Sequence, residues 1–259
     1  MQIRKIALAA SLLCLASSAA FAQAKAAEPD YTLSYNIGAV TDYRFRGISQ
    51  TSKKPAIQGG VDFAHKSGIY LGAWASNVKW VKDFNGATKG SLELDLYGGY
   101  KGEIAKDLGF DVGLVTYQYP GNNSGGAGTP GAGNFSNANT NEMYGALTFG
   151  MFTGKYSRSL GDFLGNLNTK GSGYLDLSAA IDLGNGVTLT PHLGRQTVAN
   201  TSPANYTDYA LTIAKDMGKG LTLTGAITGT NAKSGGFYTD INGKFIANSA
   251  LALGAKYSF

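Results

Sequence analysis

The sequence predicts a transmembrane, up-and-down antiparallel β-barrel of about twelve strands behind an N-terminal signal peptide. Three observations carry this expectation. Hydrophobic residues occupy every second position through most of the chain, the connections alternate short and long, and the first residues form a secretory leader.

The leader comes first. Arg4 and Lys5 precede the apolar run Ile6 to Ala20, and Ala20-Phe21-Ala22 is a small-x-small cleavage site. Residues 1–22 are therefore expected to be removed, and 23–259 to form the barrel domain. Cys14, the only cysteine, lies within the leader and is preceded by Leu13 rather than a small residue, so lipidation is not expected. The mature part then holds no thiol for a disulfide or a thiolate metal site. Without Arg4 and Lys5 the formal net charge of +5 falls by two, too mild a balance to point to nucleic acid. No later stretch reaches the roughly 20 consecutive apolar residues of a membrane-spanning helix.

The alternation begins at once. Tyr31, Leu33, Tyr35, Ile37, Ala39, Thr41, Tyr43 and Phe45 share one phase, and Thr32, Ser34, Asn36, Gly38, Val40, Asp42, Arg44 and Arg46 share the other. A period of two places one set on each face of a strand. Twelve such segments follow from the sequence: 31–46, 55–65, 69–79, 91–101, 108–119, 141–149, 152–159, 173–183, 187–198, 206–216, 221–230 and 245–259. Most approach the 9–11 residues that a tilted strand needs to cross a bilayer. Between them, tight turns such as Lys66-Ser67-Gly68 and Gly184-Asn185-Gly186 alternate with long connections at 47–54, 80–90, 120–140, 160–172, 199–205 and 231–244. That sidedness belongs to an outer-membrane barrel, with turns in the periplasm and loops outside. A soluble barrel would turn its polar phase to water. Here that phase is rich in Gly, Ala, Ser and Thr, which suits a lumen better.

The last segment carries Leu251, Leu253, Ala255, Tyr257 and Phe259 in one phase. In a closed barrel it pairs with the first strand and leaves no edge. Tyr257 and Phe259 are then expected in an outward aromatic girdle beside Tyr31 and Tyr35. A terminal strand ending in Phe also resembles the signal read by the bacterial barrel-assembly machinery, so Leu251, Leu253, Tyr257 and Phe259 are candidate signal residues.

Residues 35–78 and 91–103, "YNIGAVTDYRFRGISQTSKKPAIQGGVDFAHKSGIYLGAWASNV" and "SLELDLYGGYKGE", resemble the TorF-like family of outer-membrane porins. The similarity is strongest over 31–102, including Asp42-Tyr43-Arg44-Phe45-Arg46-Gly47, Pro55-Ala56 and Ser76-Asn77, and weakens toward the terminus. The resemblance implies the outer membrane of a Gram-negative bacterium and a barrel architecture. It implies no catalytic residues.

Catalysis is not expected from the residues either. Nucleophilic chemistry needs a base within hydrogen-bond reach of a nucleophile, and His65 and His192 are the only imidazoles. His65 abuts a turn, and His192 is expected in the lumen phase near the periplasmic end of its strand. Gly126-x-Gly128-x-x-Gly131 matches a dinucleotide fingerprint by letters, yet it contains Pro130 and precedes no helix pattern. No cofactor or metal site is expected.

The lumen phase carries the function. Asp42, Arg44 and Arg46 fall in it at the outer end of strand one, and Glu93 and Asp95 in that of strand four. These two groups are expected to face one another and define a constriction. Gln58, Asp62, Asp111, Lys155 and Lys256 line the same lumen, as do the acids Glu142, Asp176 and Asp208. Facing charges of both signs either pair and stiffen the wall or set a field that selects solutes. Segment 120–140 is expected either to fold inward and narrow the pore or to lie free at the surface. The expected function is a narrow diffusion channel for small polar or charged solutes; the alternative is a non-conducting structural or surface-interaction barrel. Expected partners are outer-membrane lipid, lipopolysaccharide and the assembly machinery. No feature specifies an oligomeric state.

Overall fold

In a computed structural model of the chain, residues 29–259 are described; the leader and its cleavage site lie outside them. Twelve antiparallel strands form the wall. They are β1 (Tyr31–Val40), β2 (Ala56–His65), β3 (Ile69–Asn77), β4 (Leu92–Ala105), β5 (Leu108–Gln118) and β6 (Thr140–Phe149), followed by β7 (Phe152–Ser159), β8 (Gly173–Ala179, continued by Ile181–Gly184), β9 (Val187–Thr197), β10 (Tyr206–Gly218), β11 (Leu221–Thr230) and β12 (Ala250–Ser258). Each pairs with its sequence neighbour, and β1 pairs with β12, so the sheet closes on itself. Tyr35 and Phe259 exchange both backbone hydrogen bonds at the seam, 2.9 and 3.0 Å.

The period of two explains which way each side chain points. Tyr31, Leu33, Tyr35 and Ile37 are exposed on β1, whereas Ser34, Asn36 and Gly38 are half-buried. On β12 the exposed set is Leu251, Leu253, Tyr257 and Phe259. An apolar outer band over a polar interior is the pattern of a barrel in lipid. At the short-turn end this band closes in aromatic pairs: Tyr31 stacks on Phe63 at 5.7 Å between ring centroids, Tyr35 on Phe259 at 5.8 Å, and Tyr100 lies 5.7 Å from Phe110. The expected girdle is present.

The tight turns need left-handed backbone. Asn185 (φ 53) and Gly186 (φ 73) supply it in the β8–β9 turn, the two-residue conformation whose twist matches the strands. The break in β8, at Ala180, comes one residue after Ala179, the position opposite Pro191 of β9. The register continues across the gap, from Ser178↔His192 to Ile181↔Leu189, and proline has no N–H to give the ladder.

Two strands are shorter than expected. β1 ends at Val40 rather than at residue 46, because Arg46 (φ 50) and Gly47 (φ 79) turn the chain into a small hairpin, Arg44–Phe45 against Ile48–Ser49. β12 starts at Ala250 rather than at 245, since the carbonyl of Ile246 accepts from Ser49 N of that hairpin at 3.0 Å. The long connections, 41–55, 78–91, 119–139, 160–172, 198–205 and 231–249, all gather at one end. Their apolar residues make three contiguous clusters, around Trp80, Val81 and Tyr119, around Ile48, Tyr206 and Ile246, and around Phe163, Val198 and Ala204. The loops cap that end of the barrel.

Candidate functional site in the lumen

The 41–55 segment leaves β1 and enters the barrel instead of extending its wall. Its tip is pressed against the wall at β10 and β11: a Cβ at Gly47 would lie 2.8 Å from Thr230 Cγ2 and 2.9 Å from Asp208 Cβ. Asp42 secures its base, accepting from Arg44 Nε at 2.7 Å and Ser49 Oγ at 2.6 Å. Arg44 Nη1 also donates to the carbonyls of Gly47 and Asn248, at 3.0 and 2.7 Å. Arg44 thus braces the hairpin against the 231–249 loop.

Arg46 reaches across the lumen. Nη2 donates to Glu142 Oε2 of β6 at 2.6 Å, and Nη1 donates to Gln196 Oε1 of β9 at 2.9 Å. Its guanidinium lies 4.3 Å from the Tyr174 ring and 4.6 Å from that of Phe45, the geometry of a cation on aromatic faces. Burial acts to lower the Arg46 pKa, and the Glu142 carboxylate more than reverses this, so the group sits above its usual value and stays cationic. Tyr43, on the same segment, is pushed well above the ordinary phenol range by burial and then by Glu93.

Beside this plug stands an acidic wall. Glu93 Oε1 accepts from Tyr43 and Tyr119 hydroxyls at 3.4 and 3.3 Å, while Glu93 Oε2 and Asp95 Oδ1 are buried without a hydrogen-bond partner. Asp95 faces Trp74 and Glu93 faces Ser76 across the β3–β4 ladder. A third cluster lies deeper. His192 sits between Asp208, 2.8 Å from Nε2, and Asp176, 3.3 Å from Nδ1, and Tyr174 donates to Asp208 at 3.1 Å.

Exposure falls from one end of the lumen to the other. Gln196, Glu142, Glu93 and Asp208 are 0–2 % exposed at the capped level, whereas the His192 and Asp176 side chains are 18 % and 30 % exposed. Farther toward the short turns the lumen side chains are partly exposed. There Tyr70 donates to Asp111 at 2.5 Å, Tyr97 donates to Asp62, and Lys155 Nζ lies 4.0 Å over the Tyr144 ring. Gln58 donates to Ser76 at 3.5 Å, and Lys256 points inward from β12. Partly exposed polar side chains toward the short-turn end thus give way to a packed cap at the other. Within the cap, Trp80, Phe84, Phe163, Phe237 and Tyr238 line a cavity of about 50 Å³.

Three expectations about placement change. Asp42, Arg44 and Arg46 belong to the inward hairpin, not to the polar phase of the first strand, because the wall ends before them. His192 stands in the middle of β9, held by two carboxylates, and not near the end of its strand. The inward segment is 41–55; the 119–139 connection packs in the cap, where Tyr119 and Ala138 join the Trp80 cluster and Phe135 bridges Asn166. Arg46 meets Glu142 and Gln196, whereas Glu93 and Asp95 meet Tyr43, Tyr119, Trp74 and Ser76. Gln196, Tyr43, Tyr119 and Trp74 were not singled out from sequence. Parity places Gln196 inside, whereas Ile69 to Val78 carries apolar groups in both phases and leaves the face of Trp74 open, and nothing local shows the partners of either.

The family model for a bacterial protein of unknown function, Gcw_chp, matches residues 23–259. No curated protein matches the sequence. Among solved structures, the KdgM porin in complex with disordered oligogalacturonate is similar at a TM-score of 0.54 and 8% identity, covering 88% of this chain and 98% of that one. The NanC porin is similar at a TM-score of 0.52 and 10% identity, covering 87% and 99%. Both likenesses show the fold.

Proposed function

The chain belongs to the Gcw_chp family, and from that premise and the lumen's geometry we propose a porin-like outer-membrane channel for small polar solutes, with the 41–55 hairpin as its plug. The single observation that carries this reading is the nature of the obstruction. The wall encloses a lumen lined by charged side chains that are partly exposed toward the short turns, and what packs over the other end is loop, held by Arg46 and Arg44. A loop joined to the wall by a few side-chain contacts can swing where a wall cannot.

The porin folds of the two similar structures support the reading, as does the resemblance of residues 31–102 to the TorF-like family. In this reading the short turns are periplasmic, the cap faces outside, residues 1–22 are the export leader, and the barrel lies in the outer membrane of a Gram-negative bacterium. The solute preference follows from charge. Arg44 and Arg46 each pair with a carboxylate, although Arg44 Nη2 is buried without a partner, while Glu93 and Asp95 have no base beside them and keep unpaired oxygens. A lumen left with uncompensated acid favours cationic and neutral polar solutes over anions.

A second reading, a non-conducting structural barrel, is favoured by the near-zero exposure of the Arg46, Glu142 and Gln196 level. Planar-bilayer recordings separate the two. Unit conductance steps in the purified protein, more frequent in an Arg46→Ala variant, support the channel. Silence in both, with the barrel folded, supports the structural role.

A further inference from the structure

Four arginines fall among the described residues, and they divide into two kinds. Arg44 and Arg46 lie in the lumen, each paired with a carboxylate. Arg158 on β7 and Arg195 on β9 point outward and are exposed, and neither forms an ion pair. Arg195 Nη1 donates to Thr207 Oγ1 at 3.2 Å, and Arg158 makes no hydrogen bond to another described residue. Their surroundings are those of a lipid face: Met143 and Gly173 flank Arg158, and Leu175 and Thr207 flank Arg195. No acidic residue shares the outward phase at this end of the strands.

The two arginines start from one outward patch, from which Arg195 turns toward Thr207 of β10 and Arg158 Nη2 lies beside Gly171. Gly173 of β8 pairs with Arg158, and Leu175, two residues on, pairs with both Arg195 and Tyr156. At about 4.8 Å per strand and 3.3 Å per residue, the two Cα atoms are about 12 Å apart, within joint reach of two extended arginines. The space between them is kept low. Gly173 has no side chain, and a Cβ there would lie 2.4 Å from the Tyr156 hydroxyl, so that hydroxyl lies over the glycine between the arginines. The hydroxyl has no hydrogen-bond partner among the described residues. Lys170 is exposed in the adjoining loop.

Depth places the patch at a headgroup level. Gly154, opposite Leu177, is four residues nearer the middle of the wall than Arg158. Arg158 is the penultimate residue of β7 and Arg195 lies two residues from the end of β9, both at the loop end of the wall, where a barrel's apolar band gives way to headgroups. Arginine is costly at the middle of that band and nearly free at its edge, where it can snorkel. Planar guanidinium forks also match phosphate oxygens in two-pronged geometry.

We propose that Arg158 and Arg195, with the Tyr156 hydroxyl between them, form a binding site for the phosphate groups of lipopolysaccharide in the outer leaflet. The inference rests on the outer-membrane placement and on the cap facing outside, but not on conduction. A headgroup bearing two phosphates suits two separated cations better than a phosphodiester with a single negative charge.

The test is lipid binding to the intact barrel in detergent, followed by native mass spectrometry. The probes are bisphosphorylated lipid A, the same lipid with its phosphates removed, and phosphatidylglycerol. Wild type is expected to bind the bisphosphorylated form at least about tenfold more tightly than either other lipid. Arg158→Gln with Arg195→Gln should remove that preference, Arg158→Lys with Arg195→Lys should retain part of it, and Lys215→Gln, at the other end of the wall, should leave it intact. Heat-modifiable migration confirms that each variant is folded. Equal binding of all three lipids by wild type, or an unchanged preference in the glutamine variant, overturns the proposal. Loss of bilayer conductance alone would leave it standing, since the readout is lipid retained and not current.

Discussion

Arg46 and Glu142, 96 residues apart in sequence, meet at 2.6 Å across the lumen with both side chains almost fully buried. The contact joins the inward hairpin to the wall at β6. Removing one partner of such a pair leaves a buried charge without compensation, at a cost of about 3–5 kcal/mol, whereas removing both relieves most of it. Arg46→Ala is therefore expected to release the hairpin and raise the frequency of open steps in a bilayer. Glu142→Ala should act in the same direction by stranding Arg46. The double variant should be less perturbed in folding stability than the two single losses combined, by about 0.5–3 kcal/mol. Additive losses in a denaturant titration would mean that the pair is not coupled.

Ion selectivity should follow the unequal pairing of the lumen charges. Glu93 and Asp95 stand without a base while Arg44 and Arg46 are matched. The conducting barrel is expected to prefer cations. Arg44→Glu with Arg46→Glu should strengthen that preference, and Glu93→Gln with Asp95→Asn should shift it toward anions. Reversal potentials across a salt gradient read both shifts, at low salt because ions screen the field over about 10 Å at 0.1 M. The same selectivity in all three proteins would remove these groups from the permeation path.

The inside and outside faces make a separate prediction. Leu177 and Leu223 are 47 % and 41 % exposed on the outer band, and their neighbours Ser178 and Thr224 face the lumen. Arginine at Leu177 or Leu223 should cost about 2–4 kcal/mol of folding free energy in a bilayer, and much less at Ser178 or Thr224. Unfolding titrations in vesicles measure the difference. Equal sensitivity of the two faces would reverse the assignment.

All twelve wall strands are legible in the sequence, because lipid on one side and a polar lumen on the other impose the same period on each strand. Parity alone sends Glu142, Gln196 and Asp208 inward. The plug is not legible in the same way. Thr41, Tyr43 and Phe45 continue the alternation of β1, so the sequence reads as wall through residue 46, although the left-handed turn at Arg46-Gly47 breaks it. Phe84, Phe163, Phe237 and Tyr238 sit in polar, glycine-rich loops, and their size signals burial. Their partners are distant in sequence and follow no period, so only the folded chain shows that they meet in one cap. Parity likewise gives a lumen residue's face and not its depth, so the position of His192 in the middle of its strand is not legible in the sequence.

The seam of the barrel yields the last prediction. Phe259 stacks on Tyr35 at 5.8 Å and on Tyr257 at 6.0 Å, and its backbone exchanges two hydrogen bonds with Tyr35. Serine at 257 and 259 keeps the backbone pairing and removes the stacks, each worth about 0.5–1.5 kcal/mol. A barrel closed by continuous ladders on both sides of β12 should tolerate that loss, so the doubly substituted protein is expected to refold in detergent with only a modest drop in stability. In cells the outcome should be far more severe if Leu251, Leu253, Tyr257 and Phe259 are what the assembly machinery reads, with degraded or periplasmic material replacing the outer-membrane form. Comparing the two settings separates recognition from stability. Normal heat-modifiable protein in outer-membrane fractions of the substituted strain would show that these side chains serve the girdle alone.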